Sequence, residues 1–225
     1  TFTFTVNDGT TDSASSYTMT IDVAAVNDAP VADNETNTAT EGTNLNASNG
    51  GSDDVLIGDT DVENDNLSVT EIRIGSTEGS GTSGSVGSFL NGTYGKLKIR
   101  SNGSYRYVPN DVLGAAETGV DWFNYTVSDG NGGTDTATLK ITVTGINDAP
   151  VAKNDNNTID ITSTSSLTVS DGASKDISGN DTDADSSASL TITEIRTGAV
   201  EGSGSLGTIG QSLTGTYGSL TLNAN

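Results

Sequence analysis

The chain repeats itself, and that constrains its fold more than any other feature. Asn27-Asp28-Ala29-Pro30-Val31-Ala32 returns as Asn147-Asp148-Ala149-Pro150-Val151-Ala152, an offset of 120 residues. Phe2 to Gly9 returns as Phe123 to Gly130, Gly58-Asp59-Thr60-Asp61 as Asn180-Asp181-Thr182-Asp183, Leu67 to Arg73 as Leu190 to Arg196, and Gly92 to Leu97 as Gly215 to Leu220. Self-similarity held in one register is the signature of a repeat architecture. Residues 1–26 then read as the C-terminal strands of a first repeat, 27–147 as one complete repeat, and 148–225 as the N-terminal portion of a third. Both terminal units lack the stretch equivalent to residues 103–121, so each leaves strand edges unpaired in isolation. Two accounts fit: a window on a longer repetitive filament, or strand exchange in which the N-terminal hairpin of one copy completes the C-terminal unit of another.

Inside the complete unit the apolar residues alternate with polar ones, the period of a strand with one face inward. Leu67 to Ile74 reads as one strand, and Leu97 to Arg100, a tight turn at Asn102-Gly103, and Tyr105 to Tyr107 read as a hairpin. Trp122 to Val127, a turn over 128–133, and Thr136 to Val143 form another hairpin. Further strands after Pro30 and near Val55 bring the count to about seven, that of an immunoglobulin-like sandwich. The one helical candidate is a turn around Asp111 to Glu117. The expected class is all-β.

Charge and missing residue types exclude whole classes of function. Nine Lys+Arg against thirty Asp+Glu leave a net charge of -21, and nine scattered cations build no basic stripe for nucleic acid. Cysteine and histidine are both absent, which removes disulfides, Cys/His zinc sites, cysteine nucleophiles and histidine acid/base chemistry. No apolar run approaches the length of a membrane span. Gly79 to Gly84 and Gly202 to Gly207 match G-x-G-x-x-G, yet no helical pattern follows either, so they read as loops. Trp122, Phe123, Tyr125, Tyr105 and Tyr107 lie in strand patterns and read as packing residues rather than a sugar platform. No carboxylate pair is singled out among thirty, and the chain reads as non-enzymatic.

Chemistry is left to the acidic residues. Asp59-Thr60-Asp61-Val62-Glu63-Asn64-Asp65 sets alternate carboxylates on one side of an extended segment, a donor set suited to Ca2+ with its six to eight oxygen ligands. Asp181-Thr182-Asp183-Ala184-Asp185 repeats the spacing. Asp and Asn also favour turns by bonding nearby backbone, so an acidic loop forms without a metal as well.

Taken together, Thr93-Tyr94-Gly95-Lys96-Leu97, Asn102-Gly103-Ser104-Tyr105, Phe123 to Gly130 with Gly132-Gly133-Thr134-Asp135, and the closing Asn147-Asp148-Ala149-Pro150 resemble the VCBS and cadherin-like tandem repeats of large bacterial, RTX-type surface adhesins. The resemblance implies a linear string of immunoglobulin/cadherin-like β-sandwiches of about 120 residues, with Ca2+ at or near the junctions. It implies an extender region of a secreted cell-surface adhesin or filament, acting in cell adhesion or biofilm formation outside the cell. In such junctions a linker Asn-Asp pair shares ions with an Asp-x-Asp of the following domain. That maps to Asn27 and Asp28 with Asp59 and Asp61, and to Asn147 and Asp148 with Asp181 and Asp183; Glu63 and Asp185, in the same acidic runs, are further candidate ligands. Asp8 and Asp129, in the preceding hairpin turns, are further donors expected from the domain behind. Expected partners are neighbouring repeats of the same chain or fibre. Two other roles stay open: an adhesive domain for a surface carbohydrate or protein, and a strand-complemented fibre subunit.

Overall fold

Period-two alternation becomes alternate burial in strands such as Gly95–Ile99 of the computed structural model, described here for residues 1–159, 166–169, 176–185 and 188–224. Near the N-terminus β1 (Phe2–Phe4) pairs antiparallel with β2 (Tyr17–Met19). The next nine strands build the central unit. They are β3 (Glu35–Thr40), β4 (Leu45–Ala47), β5 (Ser68–Ile74), β6 (Ser83–Gly84), β7 (Leu90–Asn91), β8 (Gly95–Ile99), β9 (Tyr105–Pro109), β10 (Thr118–Ser128) and β11 (Thr134–Thr144). One sheet has the order β3-β11-β10-β5-β6 and the other β4-β9-β8-β7. All pairings are antiparallel except β3 with β11, which run parallel from Leu139 opposite Glu35 to Thr144 opposite Thr40. No helix occurs among the described residues, so none is long and apolar enough to cross a membrane.

The two sheets close on one apolar core. The first contributes Val69, Ile72, Phe123, Tyr125, Leu139 and Ile141, and the second Leu97, Ile99, Tyr105 and Tyr107, all essentially inaccessible to water. Tyr107 and Phe123 meet edge to face across the layers, ring centroids 6.4 Å apart at 70°. Buried tyrosines need a partner for the hydroxyl. Tyr107 donates to Asp121 Oδ2 (2.7 Å), and the Tyr125 hydroxyl lies 2.9 Å from the Val55 carbonyl and 3.0 Å from that of Asp33. Burial raises all three buried tyrosines, Tyr105 to about 12, so they stay neutral; Tyr105 accepts from Asn37 Nδ2 (2.8 Å). Asp121 anchors the second sheet to the first: its carboxylate also accepts the Thr93 and Tyr94 N–H groups.

The expected hairpins are present, and the strand count is nine rather than seven. β4, β6 and β7 are two or three residues long, too short to show alternation. Val55 is not in a strand. It is fully buried within a turn, its apolar character serving the core rather than a ladder. After Pro30 only Val31 makes a bridge, to Thr60, and the strand begins at Glu35. The 111–117 segment is a turn, with Ala116 at φ 61°.

Beyond the central unit lie β12 (Ile195–Arg196), β13 (Leu206–Gly207), β14 (Ser212–Thr214) and β15 (Ser219–Thr221). Their local geometry copies the centre. Ile195 pairs with Gly207 as Ile72 pairs with Gly84, and Arg196 bonds Glu194 and the Gly204 carbonyl as Arg73 bonds Glu71 and the Gly81 carbonyl. The Val151–Thr182 bridge copies Val31–Thr60. Phe2, Phe4, Tyr17, Met19, Leu206 and Leu220 all remain exposed.

Candidate cation-binding sites at the two ends of the sandwich

The linker meets the first acidic loop through one two-residue bridge. Val31 and Thr60 exchange backbone hydrogen bonds of 2.8 and 3.0 Å, so Asp59 and Asp61, either side of Thr60, share a face. Asp59 Oδ1 accepts the Asp33 N–H (2.8 Å), and Asp61 Oδ1 accepts those of Glu63 and Asp65 (3.0 Å each). The second oxygen of each, Asp59 Oδ2 and Asp61 Oδ2, is buried without a hydrogen-bond partner. Burial pushes Asp59 up to about 6 despite the Asp33 N–H, with the carboxylates of Asp33, Asp135 and Asp54 adding to the rise. Glu35 is raised by burial and by Asp59, Asp33, Asp53 and Asp54.

Asn27, Asp28, Glu63 and Asp129 join this end. Asn27 Nδ2 donates to Asp129 Oδ2 (2.7 Å), and the Asp28 N–H reaches Glu63 Oε2 (3.3 Å). Sequence reading expected Asp129 to serve the following junction, at Asn147 and Asp148. The structure puts it at the other end, because β11 separates the 128–133 turn from residue 147 by eleven residues, roughly 35 Å of strand. The Asp129 carboxylate also receives the N–H groups of Asn131, Gly132 and Gly133, and these bonds with Asn27 hold it below the usual carboxylate range. Asp8 behaves alike: Thr10 and Thr11 saturate Oδ1 and lower its pKa. Both are occupied by their own turns.

The other end of the sandwich faces residues 148–185. Glu41 lies just past β3 and is 1% exposed; its Oε1 accepts the Val112 and Leu113 N–H groups (2.9 Å each), while Oε2 is buried with no partner. Across the junction the Asp148 N–H donates to Asp185 Oδ2 (3.1 Å), the Asp185 N–H to Asp183 Oδ1 (2.7 Å) and the Lys153 N–H to Asp181 Oδ1 (2.7 Å). Asp148 Oδ2 is a second buried, unpartnered carboxylate oxygen. Burial raises Asp148, and Asp111, Asp185, Glu41 and Asp183 add to it, from segments on both sides of residue 148 in sequence. Asp185 Oδ1 accepts the Ala115 N–H, a direct bond between the turn after β9 and the 181–185 loop. That approach requires Gly114, where a Cβ would stand 2.7 Å from the Ala184 carbonyl oxygen and 2.9 Å from Asp185 Cα. Ala115, Asn147, Asp148, Asp181, Asp183 and Asp185 line one cleft.

Sequence reasoning missed Glu41, Asp111, Asp33 and Asp135 as members of these groups. Each is isolated in sequence from the repeated acidic run, and only strand order brings it there. Among the described residues no group of three or more acidic side chains stands close enough, as arranged, to hold a metal ion. The donor chemistry nonetheless fits a hard cation: four buried carboxylate oxygens lack partners, where buried polar atoms are ordinarily satisfied.

Comparison with known proteins bears on the fold. A family model described as a bacterial cadherin-like domain matches residues 27–145, a little over half of the chain. No curated protein matches. Among solved structures, a nucleoside hydrolase-related hypothetical protein from Saccharophagus degradans, associated with carbohydrate metabolism, matches at 15% identity with a TM-score of 0.32, over 54% of this chain and 26% of that one. An endo-fucoidan hydrolase of glycoside hydrolase family 107 matches at 19% identity with a TM-score of 0.33, over 67% of this chain and 21% of that one. The chain thus spans only about a quarter and a fifth of those two proteins.

Proposed function

Because the chain belongs to the bacterial cadherin-like domain family, typically extracellular modules of structural or adhesive type, we propose that it is an extender segment of a secreted bacterial surface adhesin or filament. In this reading residues 27–147 are one sandwich of a tandem string, and 1–26 and 148–225 belong to its neighbours. Ca2+ at the junctions stiffens the string, which carries no catalytic role and serves adhesion or biofilm formation.

The supporting observation is the pair of buried carboxylate oxygens without partners, Glu41 Oε2 and Asp148 Oδ2, contributed from opposite sides of one junction. Like charges with nothing between them push the two units apart, and a divalent cation reverses the sign of that term. Glu41, Asp148, Asp183 and Asp185, with Asp111 alongside, would hold it; Asp59 and Asp61 with Asp28 and Glu63 would hold another beside the first linker. The Ala115–Asp185 and Asp28–Glu63 bonds bring carboxylates toward each junction, and the ion would draw them together into a ligand set. Extracellular modules of this kind bind at roughly 10⁻⁴ to 10⁻³ M, filled outside cells and empty inside them.

Small-angle scattering of the full chain in 5 mM calcium and then in chelator tests the reading. A longer, stiffer particle in calcium that also melts higher is expected. An unchanged profile and an unchanged melt would reject the ion-stiffened extender.

A further inference from the structure

Charge on this chain is segregated. No acidic residue occurs between Glu78 and Asp111, and that stretch holds Lys96, Lys98, Arg100 and Arg106, four of the nine cations in the sequence. Sequence reading treated the cations as scattered; the fold gathers these four onto one surface. Along β8 Leu97 and Ile99 point into the core, so Lys96 and Lys98 point outward, and Arg100 continues the row one step past the strand. On β9 Arg106 points outward between buried Tyr105 and Tyr107 and pairs directly with Lys98. Asn46 of β4 stands opposite Arg106, and Asn91 of β7 opposite Lys96. Strand spacings make this a strip roughly 14 Å long and 5 Å wide.

An aromatic ring lies within it. Phe89 is 44% exposed, and Lys96 Nζ and Lys98 Nζ stand 5.2 and 6.0 Å from its ring centroid. No carboxylate pairs directly with the strip, since both salt bridges among the described residues belong to Arg73 and Arg196. Nor does a strand of the β8 type need it to form. The third unit matches Gly95-Lys96-Leu97 with Gly218-Ser219-Leu220, and places Thr221 and Asn223 where the centre has Lys98 and Arg100. The strand equivalent to β8 forms there with neutral residues, as β15.

We infer that the outer face of the four-stranded sheet is a docking surface for an acidic polysaccharide, a linear polymer bearing carboxylate or sulfate groups that lies along β8 with a sugar ring against Phe89. Charge complementarity selects an anion, and the length of the strip selects one with charges repeating along a line. The width of the ligand follows from the rest of the molecule. A second copy of a chain carrying -21 brings its own acids into range, whereas a thin polymer stays within the ~8 Å over which the strip's field acts at physiological salt. The exposed amides of Asn46 and Asn91 offer neutral hydrogen-bonding groups at the strip's margins, and Phe89 offers an apolar face that a simple ion exchanger lacks.

The test is binding of the full chain, at constant 1 mM calcium, to immobilised heparin and hyaluronate with neutral dextran as control. Expected is binding to at least one acidic polymer and not to dextran, weakening as salt rises because counterions are released. The double variant K96Q/K98Q should weaken it about 25-fold, from roughly fivefold per cation at an anionic surface. F89A should also weaken it, with melting unchanged in both, and K140Q on the opposite sheet should leave it intact. Three results overturn the inference: no binding to either polymer in 50 mM salt, equal binding by K96Q/K98Q, or an oligonucleotide bound as tightly with F89A silent, which is plain ion exchange. Self-association abolished by K96Q/K98Q would likewise overturn it by making a second copy the occupant.

Discussion

Glu41→Gln separates a cation ligand from a merely buried acid, because the two readings predict opposite signs. The amide keeps Oε1 for the Val112 and Leu113 N–H groups, so the backbone turn it caps survives. It places an NH2 where the unpartnered Oε2 now stands and removes one charge from a group containing Asp111, Asp148, Asp183 and Asp185. In chelator the variant should therefore melt at or above wild type. In calcium the order should invert. For an affinity of about 10⁻⁴ to 10⁻³ M, 10 mM calcium stabilises wild type by about 1.4 to 2.7 kcal/mol through mass action. A unit the size of 27–145 has an unfolding entropy of roughly 0.25 kcal/mol/K, so the increment is about 6 to 11 °C. Losing a charged ligand weakens binding tenfold or more, and even tenfold takes about 1 kcal/mol and roughly 4 °C off the calcium increment. Trp122 is the only tryptophan, lies on β10 within this unit and stands beside Lys140, so its fluorescence follows the relevant transition. A Glu41→Gln chain with the full wild-type calcium increment would refute the assignment and move the ion to the Asp59–Asp61 end. A variant that melts lower in chelator would show that Oε2 already has a favourable partner.

Two further outcomes follow from the same geometry. Asp59 titrates in the folded chain near 6 instead of 3.8, and Glu35 and Asp148 shift in the same direction, so the folded state binds more protons than the unfolded one in that window. In chelator, melting should rise as pH falls from 7.5 to about 5, and calcium should flatten the trend by competing for the same oxygens; Asp8 and Asp129, shifted downward, oppose it only below about pH 4, and calorimetry showing a fall between 7.5 and 5 would contradict the burial of Asp59. Asp121→Ala strands the buried Tyr107 hydroxyl and removes the acceptor of the part-buried Thr93 and Tyr94 N–H groups, and should cost about 2 to 4 kcal/mol in urea unfolding, against about 1 to 2 for Tyr107→Phe; a loss under 1 for Asp121→Ala would mean the hub is dispensable.

The hairpins were legible because their signals are local. Tyr105 and Tyr107 alternate with Arg106, and Gly103 at φ 82° takes a conformation that glycine favours, so strand and turn both announce themselves within a few residues. β4, β6 and β7 were not legible, since two or three residues hold no period and their pairing depends on neighbours supplied from far along the chain. Val55 misled for a related reason: a buried turn residue has the same apolar side chain as a strand residue.

For the acidic groups the division is sharper. The sequence by itself determined the repeat, the all-β class, the alternation of Asp59 with Asp61 and of Asp181 with Asp183, and the Asn-Asp linkers, because each is a matter of spacing along one segment. Only the tertiary structure decided that Asp129 stands beside Asn27 rather than Asn147, that Glu41 and Asp111 join Asp148 and Asp185, and that Lys96, Lys98, Arg100 and Arg106 share an outer face. Sheet order and strand length set which loops meet at which end of a sandwich. Those are properties of pairing between distant segments, and no local pattern encodes them.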